Sequence, residues 1–157
     1  MSKAPPWEKK LNKGEISPSR AMVVDLRRCI GCHACSVACK MEHEVPLGEF
    51  RMRVRWLQNQ GDSQIDFLPV FDTNACDMGA KRSGLGLPPS CVSACPTKAL
   101  IFGEEEALKS AHPQAKALEH EAVHKKALYI DAKEWHLTKL NKGAALSPDD
   151  EDIIYEQ

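Results

Sequence analysis

No apolar run in this 157-residue chain approaches the roughly 20 residues that a membrane-spanning helix needs. Its opening stretch, residues 1–7, has neither the apolar region of a signal peptide nor a twin-arginine pair, so no export address of its own is expected. Cytoplasmic residence is the expectation, with periplasmic placement by co-export with a signal-bearing partner as the alternative. Excess charge is also missing. The formal net charge is −1, which argues against a general binder of nucleic acid or membrane surfaces. Aromatic residues make up only 6%, although the apolar content still permits a real core. There is no nucleophile–base arrangement and no nucleotide-binding glycine loop, so the chain alone is expected to catalyse nothing. An even cysteine count is lacking as well. There are seven, and without a secretory signal a disulfide framework explains them poorly.

The length suits one compact domain with some chain left for arms. Lys9, Lys10, Lys13, Arg27, Arg28, Arg51, Arg53 and Arg55 make the first third basic, and residues 149–152 form an acidic run. Residues 1–20 are polar and aperiodic and read as an N-terminal arm. Short strands are predicted at 21–25, at 51–57, where Met52, Val54 and Trp56 alternate with arginines, and at 65–71, limited by Pro69. Trp56 reads as core. A Gly- and Pro-rich loop at 82–89 leads to a strand at 100–102 that ends at Gly103. Residues 104–126 read as helix broken near Pro113, and 127–131 as a last strand. The tail after Leu140 is polar and reads as disordered or partner-bound.

The cysteines fall into two groups. Cys29, Cys32, Cys35 and Cys39 form a C-x2-C-x2-C-x3-C run, in which three thiolates wrap one face of a cubane cluster and the fourth points to a second cluster. Gly31 supplies the tight turn this needs. Soft thiolates select iron–sulfur clusters or zinc, and zinc sites normally use two separated pairs rather than four cysteines in eleven residues. The second group is Cys76, Cys91 and Cys95, with Pro96 stopping the chain after the last. In two-cluster ferredoxins each motif lends its last cysteine to the other's cluster. On that logic Cys29, Cys32, Cys35 and Cys95 bind one [4Fe–4S] cluster, and Cys39, Cys76 and Cys91 are left for a second. His33, between two ligands, reads as a loop residue that tunes solvent or partner contact.

The stretch from Val23 to Cys39, with Val45-Pro46-Leu47-Gly48 after it, resembles the first cysteine group of the ferredoxin-like subunits of the dimethyl sulfoxide reductase (molybdopterin oxidoreductase) family. Cys76-Asp77-Met78-Gly79 and the stretch from Pro88 to Leu100 resemble their third group. The resemblance implies an electron-transfer subunit relaying electrons to or from a large molybdenum- or tungsten-bis(pterin) catalytic subunit. A membrane anchor or a quinone or cytochrome partner belongs to the same expectation, nucleic acid does not. Groups like the family's second and fourth are absent, so this is a reduced version with room for two clusters. Gly79 stands where the family's third group has its second cysteine, and related subunits without cysteine there hold a [3Fe–4S] cluster. The same is implied here. Asp77 supplying an oxygen to a fourth iron, giving [4Fe–4S], and a degenerate second site remain alternatives.

One motif competes. His120-Glu121-Ala122-Val123-His124 matches H-E-x-x-H, the zinc metallopeptidase signature. If Ala115, Leu118 and Ala122 form a buried helical stripe, both histidines face solvent, and Glu134 and His136 are the only nearby candidates for a third ligand. The exposed-helix reading is preferred. The expected fold is α+β: a two-cluster ferredoxin-like core at 21–103, a helical extension with a final strand at 104–140, and an acidic tail at 141–157. A freely diffusing ferredoxin and a subunit whose clusters merely brace the fold are the other readings.

Overall fold

The computed structural model describes residues 19–58, 65–73, 75–83, 85–121 and 123–143. The expected arm up to residue 18, and the expected acidic tail from residue 144 onward, lie outside the described residues. Along the chain come β1 (Arg20–Asp25), α1 (Ala34–His43), β2 (Met52–Gln58), β3 (Ile65–Phe71), α2 (Ala80–Ser83), α3 (Ser90–Ala94), β4 (Leu100–Glu104), α4 (Glu105–Ala111), β5 (Lys116–Ala117), β6 (Ala127–Ile130) and α5 (Glu134–Gly143). Helices and strands mix as an α+β protein. Among the described residues no helix is long and apolar enough to cross a membrane.

A four-stranded sheet runs in the order β4-β1-β6-β5. β1 pairs antiparallel with β4 and parallel with β6, and β5 pairs antiparallel with β6. Every residue of β1 from Ala21 to Asp25 is buried, because both faces of the sheet are covered. The period of two then sorts the side chains. Met22, Val24, Leu100, Ala127 and Tyr129 face the larger core, whereas Ala21, Val23, Leu128 and Ile130 face a smaller one closed by Leu108 of α4. Burying Leu108 there stabilises the lid by about 1.5–3 kcal/mol.

β2 and β3 form a separate antiparallel ribbon with Met52 opposite Phe71, Val54 opposite Pro69 and Trp56 opposite Phe67. A two-stranded ribbon has only edge strands, where proline is tolerated. The Tyr129 hydroxyl of β6 donates to the Pro69 carbonyl at 2.6 Å, pegging the ribbon to the sheet across the core.

The helix expected over 104–126 is a correction. Only Glu105–Ala111 is helical, and beyond Pro113 the chain turns to lay Lys116 and Ala117 against Tyr129 and Leu128. The edge of β6 carries backbone groups that need partners, and β5 supplies them. Residues 118–121, 123 and 124 form no helix. They are tied instead to the end of β3: the Thr73 hydroxyl donates to the Glu121 carbonyl at 2.8 Å, and the His124 amide donates to the Phe71 carbonyl at 2.9 Å.

Candidate metal centre

Two short helices place the cysteines. α1 carries Cys35 and, one turn later, Cys39. α3 carries Cys91, and Cys95 caps its end. In each helix the two cysteines, four residues apart, open into different hollows. One is lined by Cys29, Cys32, Cys35 and Cys95, with Val54, Pro69, Ala99 and Leu100 as its apolar wall. The other is lined by Cys39, Cys76 and Cys91, together with His43, Arg51, Asp77, Gly79 and Arg82. The structure thus gathers the sequence-derived sets of four and three around separate cavities. Cys35 and Cys91 are both buried in the same core, where the charge of Cys35 acts on Cys91. None of the seven is disulfide-bonded. Among the described residues, no three His, Cys, Asp or Glu side chains converge closely enough to hold a single ion. Soft thiolates are the ligands that iron–sulfur clusters or zinc take, and Cys29, Cys32, Cys35 and Cys95 on one side and Cys39, Cys76 and Cys91 on the other are the residues that could supply them.

The loops that close these hollows are bent into the left-handed region. Gly31 has φ +69°, and a Cβ there would lie 2.4 Å from the Phe67 ring. His33 has φ 61° and starts α1, where its carbonyl accepts from the Val37 amide and the Ser36 hydroxyl. Its ring stacks on Trp56 at 5.9 Å, and Trp56 is half-buried against the core. Upstream, the buried Asp25 carboxylate takes three bonds from Arg27, at 3.1, 2.9 and 2.9 Å. These fix the turn that delivers Cys29, and the Arg27 hydrogen bond holds the Asp25 carboxyl below its usual range.

Backbone amides point at the sulfurs. Ala99 N–H donates to Cys95 Sγ at 3.3 Å and Met78 N–H to Cys76 Sγ at 3.4 Å. Such bonds favour thiolate over thiol. Burial works the other way. It pushes the Cys35 and Cys76 thiols up to about 12, raises Cys91 further, and raises Cys29 and Cys39. At Cys95 burial also pushes upward, but amides of Ala99, Thr97 and Leu100 and the Thr97 hydroxyl outweigh it and hold this thiol below its ordinary value. Buried thiols become thiolates when a metal takes the proton's place, which is the chemistry a cluster supplies.

The competing H-E-x-x-H motif does not assemble. Without a helix His120 and His124 are not stacked on one face. His124 is buried rather than exposed, and its Nδ1 accepts the Lys126 amide at 3.1 Å. His136 is buried too. Its Nδ1 accepts the Lys133 amide, so Nε2 carries the proton and donates to Asp66 at 2.7 Å. Glu134 is exposed at the start of α5. The preferred reading of two solvent-facing histidines on a helix is therefore corrected along with the peptidase alternative.

Sequence reasoning missed Arg51 as a site residue, counting it only as one of several basic residues. It lines the three-cysteine hollow, and Nε donates to the Ala75 carbonyl at 2.7 Å. No spacing signal pointed to it. Arg82 was missed likewise. It reaches back to the Pro88 carbonyl at 2.8 Å and to Glu42 of α1 at 3.5 Å, tying down the loop that leads to Cys91.

No family model matches the chain. Similar curated proteins do exist. A tetrathionate reductase subunit of Salmonella typhimurium is 32% identical over 100 residues, covering 64% of this chain and 37% of that one. The putative iron-sulfur subunit of a dimethyl sulfoxide reductase of Halobacterium salinarum is 47% identical over 45 residues, 29% of this chain and 16% of that one. Electron transport protein HydN of Escherichia coli is 35% identical over 98 residues, 61% of this chain and 51% of that one. The chain spans about half or less of the length of these relatives. The likeness read from the cysteine groups thus recurs over part of each relative: the chain is related, at modest identity, to a reductase subunit, to a reductase iron-sulfur subunit and to an electron transport protein.

Proposed function

We propose that the protein holds two iron–sulfur clusters and relays single electrons as the small subunit of a molybdenum- or tungsten-pterin oxidoreductase. The observation that carries this is the pair of adjoining cysteine-walled hollows, each fed by the same two helices. Cys29, Cys32, Cys35 and Cys95 would hold a [4Fe–4S] cluster, and Cys39, Cys76 and Cys91 a [3Fe–4S] cluster. The clusters supply the one-electron chemistry. The chain's own residues supply thiolates, aim the Ala99 and Met78 amides at sulfur, and keep water out with Val54, Pro69 and Leu100. The exposed Cys32 gives the first site an edge at the surface, where a partner's redox centre can approach. The named relatives support a large catalytic subunit as that partner.

Anaerobically purified protein should contain about seven irons per chain and show the paramagnetic signal of an oxidised three-iron cluster. Gentle lysis should bring it down with a pterin enzyme whose substrate reduces or oxidises the clusters. Zinc in place of iron would sink the reading. Clusters that the partner's substrate never changes would make them braces, and a monomer with no companion would make the protein a free ferredoxin.

A further inference from the structure

We propose that Arg51 sets the iron content of the second site: it pins the Asp77 carboxylate to the cavity wall, so that three cysteines remain the only ligands and a fourth iron is refused. This rests on the iron–sulfur reading above. Asp77 follows Cys76 directly and is the one carboxylate lining that hollow among the described residues. Both of its oxygens are engaged by other residues of that wall. Oδ1 accepts the Gly79 amide at 3.1 Å, and Oδ2 lies 3.6 Å from an Arg51 guanidinium nitrogen. Arg51 cannot easily follow the carboxylate inward, because its Nε is anchored on the Ala75 carbonyl and its side chain is only 19% exposed.

The position that would otherwise take a fourth ligand is closed as well. Gly79 has φ +72°, and a Cβ there would lie 2.4 Å from Pro89 Cγ and 3.4 Å from Phe102 Cζ. A cysteine at 79 therefore does not simply restore a ligand; Pro89 must move first. Asp77 is left as the nearest anionic donor, and Arg51 is what restrains it. The same guanidinium lies where its charge favours the thiolates of Cys39 and Cys76, while the Asp77 carboxylate disfavours them. Keeping the pair together balances the site without lending an oxygen to it.

The chemistry tested is uptake of one ferrous ion. A three-iron core that has accepted one electron from dithionite binds one Fe2+, and the Asp77 carboxylate would displace water from that added iron. In the unmodified protein, incubation with dithionite and ferrous iron should leave about seven irons per chain and a three-iron signal that returns on reoxidation. In Arg51→Gln the content should rise to about eight and the signal should not return. Adding Asp77→Asn to that variant should restore the three-iron behaviour, and Arg51→Lys, which keeps the cation, should retain it.

An Arg51→Gln protein that stays at three irons in this site overturns the proposal and leaves the electron-carrier reading standing. Conversion that persists in the Arg51→Gln, Asp77→Asn protein also overturns it, and points to His43 on the same wall. Should Arg51→Gln fail to fold, Asp77→Asn alone decides. Its three-iron signal should match that of the unmodified protein, and a changed signal means that the carboxylate was already a ligand. An unmodified protein without iron defeats the function instead.

Discussion

Burial holds the His124 imidazole below the usual histidine value of 6.5; the Lys126 cation adds to the effect and Asp72 opposes it. The neutral ring is what the fold needs, since Nδ1 accepts the Lys126 amide in the turn that leads into β6. A folded-state value below the unfolded one means that the unfolded chain binds the proton first. The stability tied to His124 is therefore present above about pH 6.5 and lost as pH falls through the folded value. The urea midpoint of the protein should drop as pH falls below about 6.5, and His124→Gln should flatten that drop. Asp25 does not confuse the test. Its carboxyl is lowered from 3.8, first by its Arg27 hydrogen bond, so its contribution fades only under more acid conditions. An equal slope in the His124→Gln protein would mean that another group titrates.

At the scale of elements, the two sheets meet through few polar links, and Tyr129 is the deepest of them. Its hydroxyl is buried and bonded to Pro69, a wall residue of the four-cysteine hollow. Tyr129→Phe leaves the ring in place but strands a buried carbonyl, at a cost of about 1–3 kcal/mol. Thermal melting should show that loss, and a midpoint unchanged from the unmodified protein would mean that water replaces the hydroxyl. The strands were legible because their apolar runs and alternations are local: 21–25, 51–57, 65–71, 100–102 and 127–131 all fall within a residue or two of the observed bounds. β5 was not legible. Lys116 and Ala117 carry no strand signal and are extended because the open edge of β6 recruits them. α5 went unread too. The cysteine groups were readable because ligand spacing within each group is local. Arg51 was not, since the Ala75 carbonyl that anchors it is 24 residues away and only folding brings the two together.

For the molecule as a whole, the two cores depend on the cysteine sites to different degrees. The larger one includes Cys35 and Cys91 and has Cys29, Cys39 and Cys76 packed against it. Around those hollows α1 and α3 lie against each other, and each is short, too short to persist alone in water. The smaller core, built from Ala21, Val23, Leu108, Leu128 and Ile130, contains no cysteine. Stripping the iron should therefore unfold the molecule unevenly. With clusters gone, buried thiols fill part of each hollow and the helices lose the bonds that join them, while β1, β4 and β6 keep their ladders and the cover of α4. Amide hydrogen exchange after anaerobic chelation should show protection lost across α1, α3 and residues 76–79, and retained across β1 and β6. The ribbon of β2 and β3 should fall between, pegged by Tyr129 but no longer backed by α1. Uniform loss across both cores would mean one cooperative unit. Full protection of α1 in iron-free protein would mean that apolar packing alone shapes the cavities, leaving the clusters free to serve only as carriers of charge.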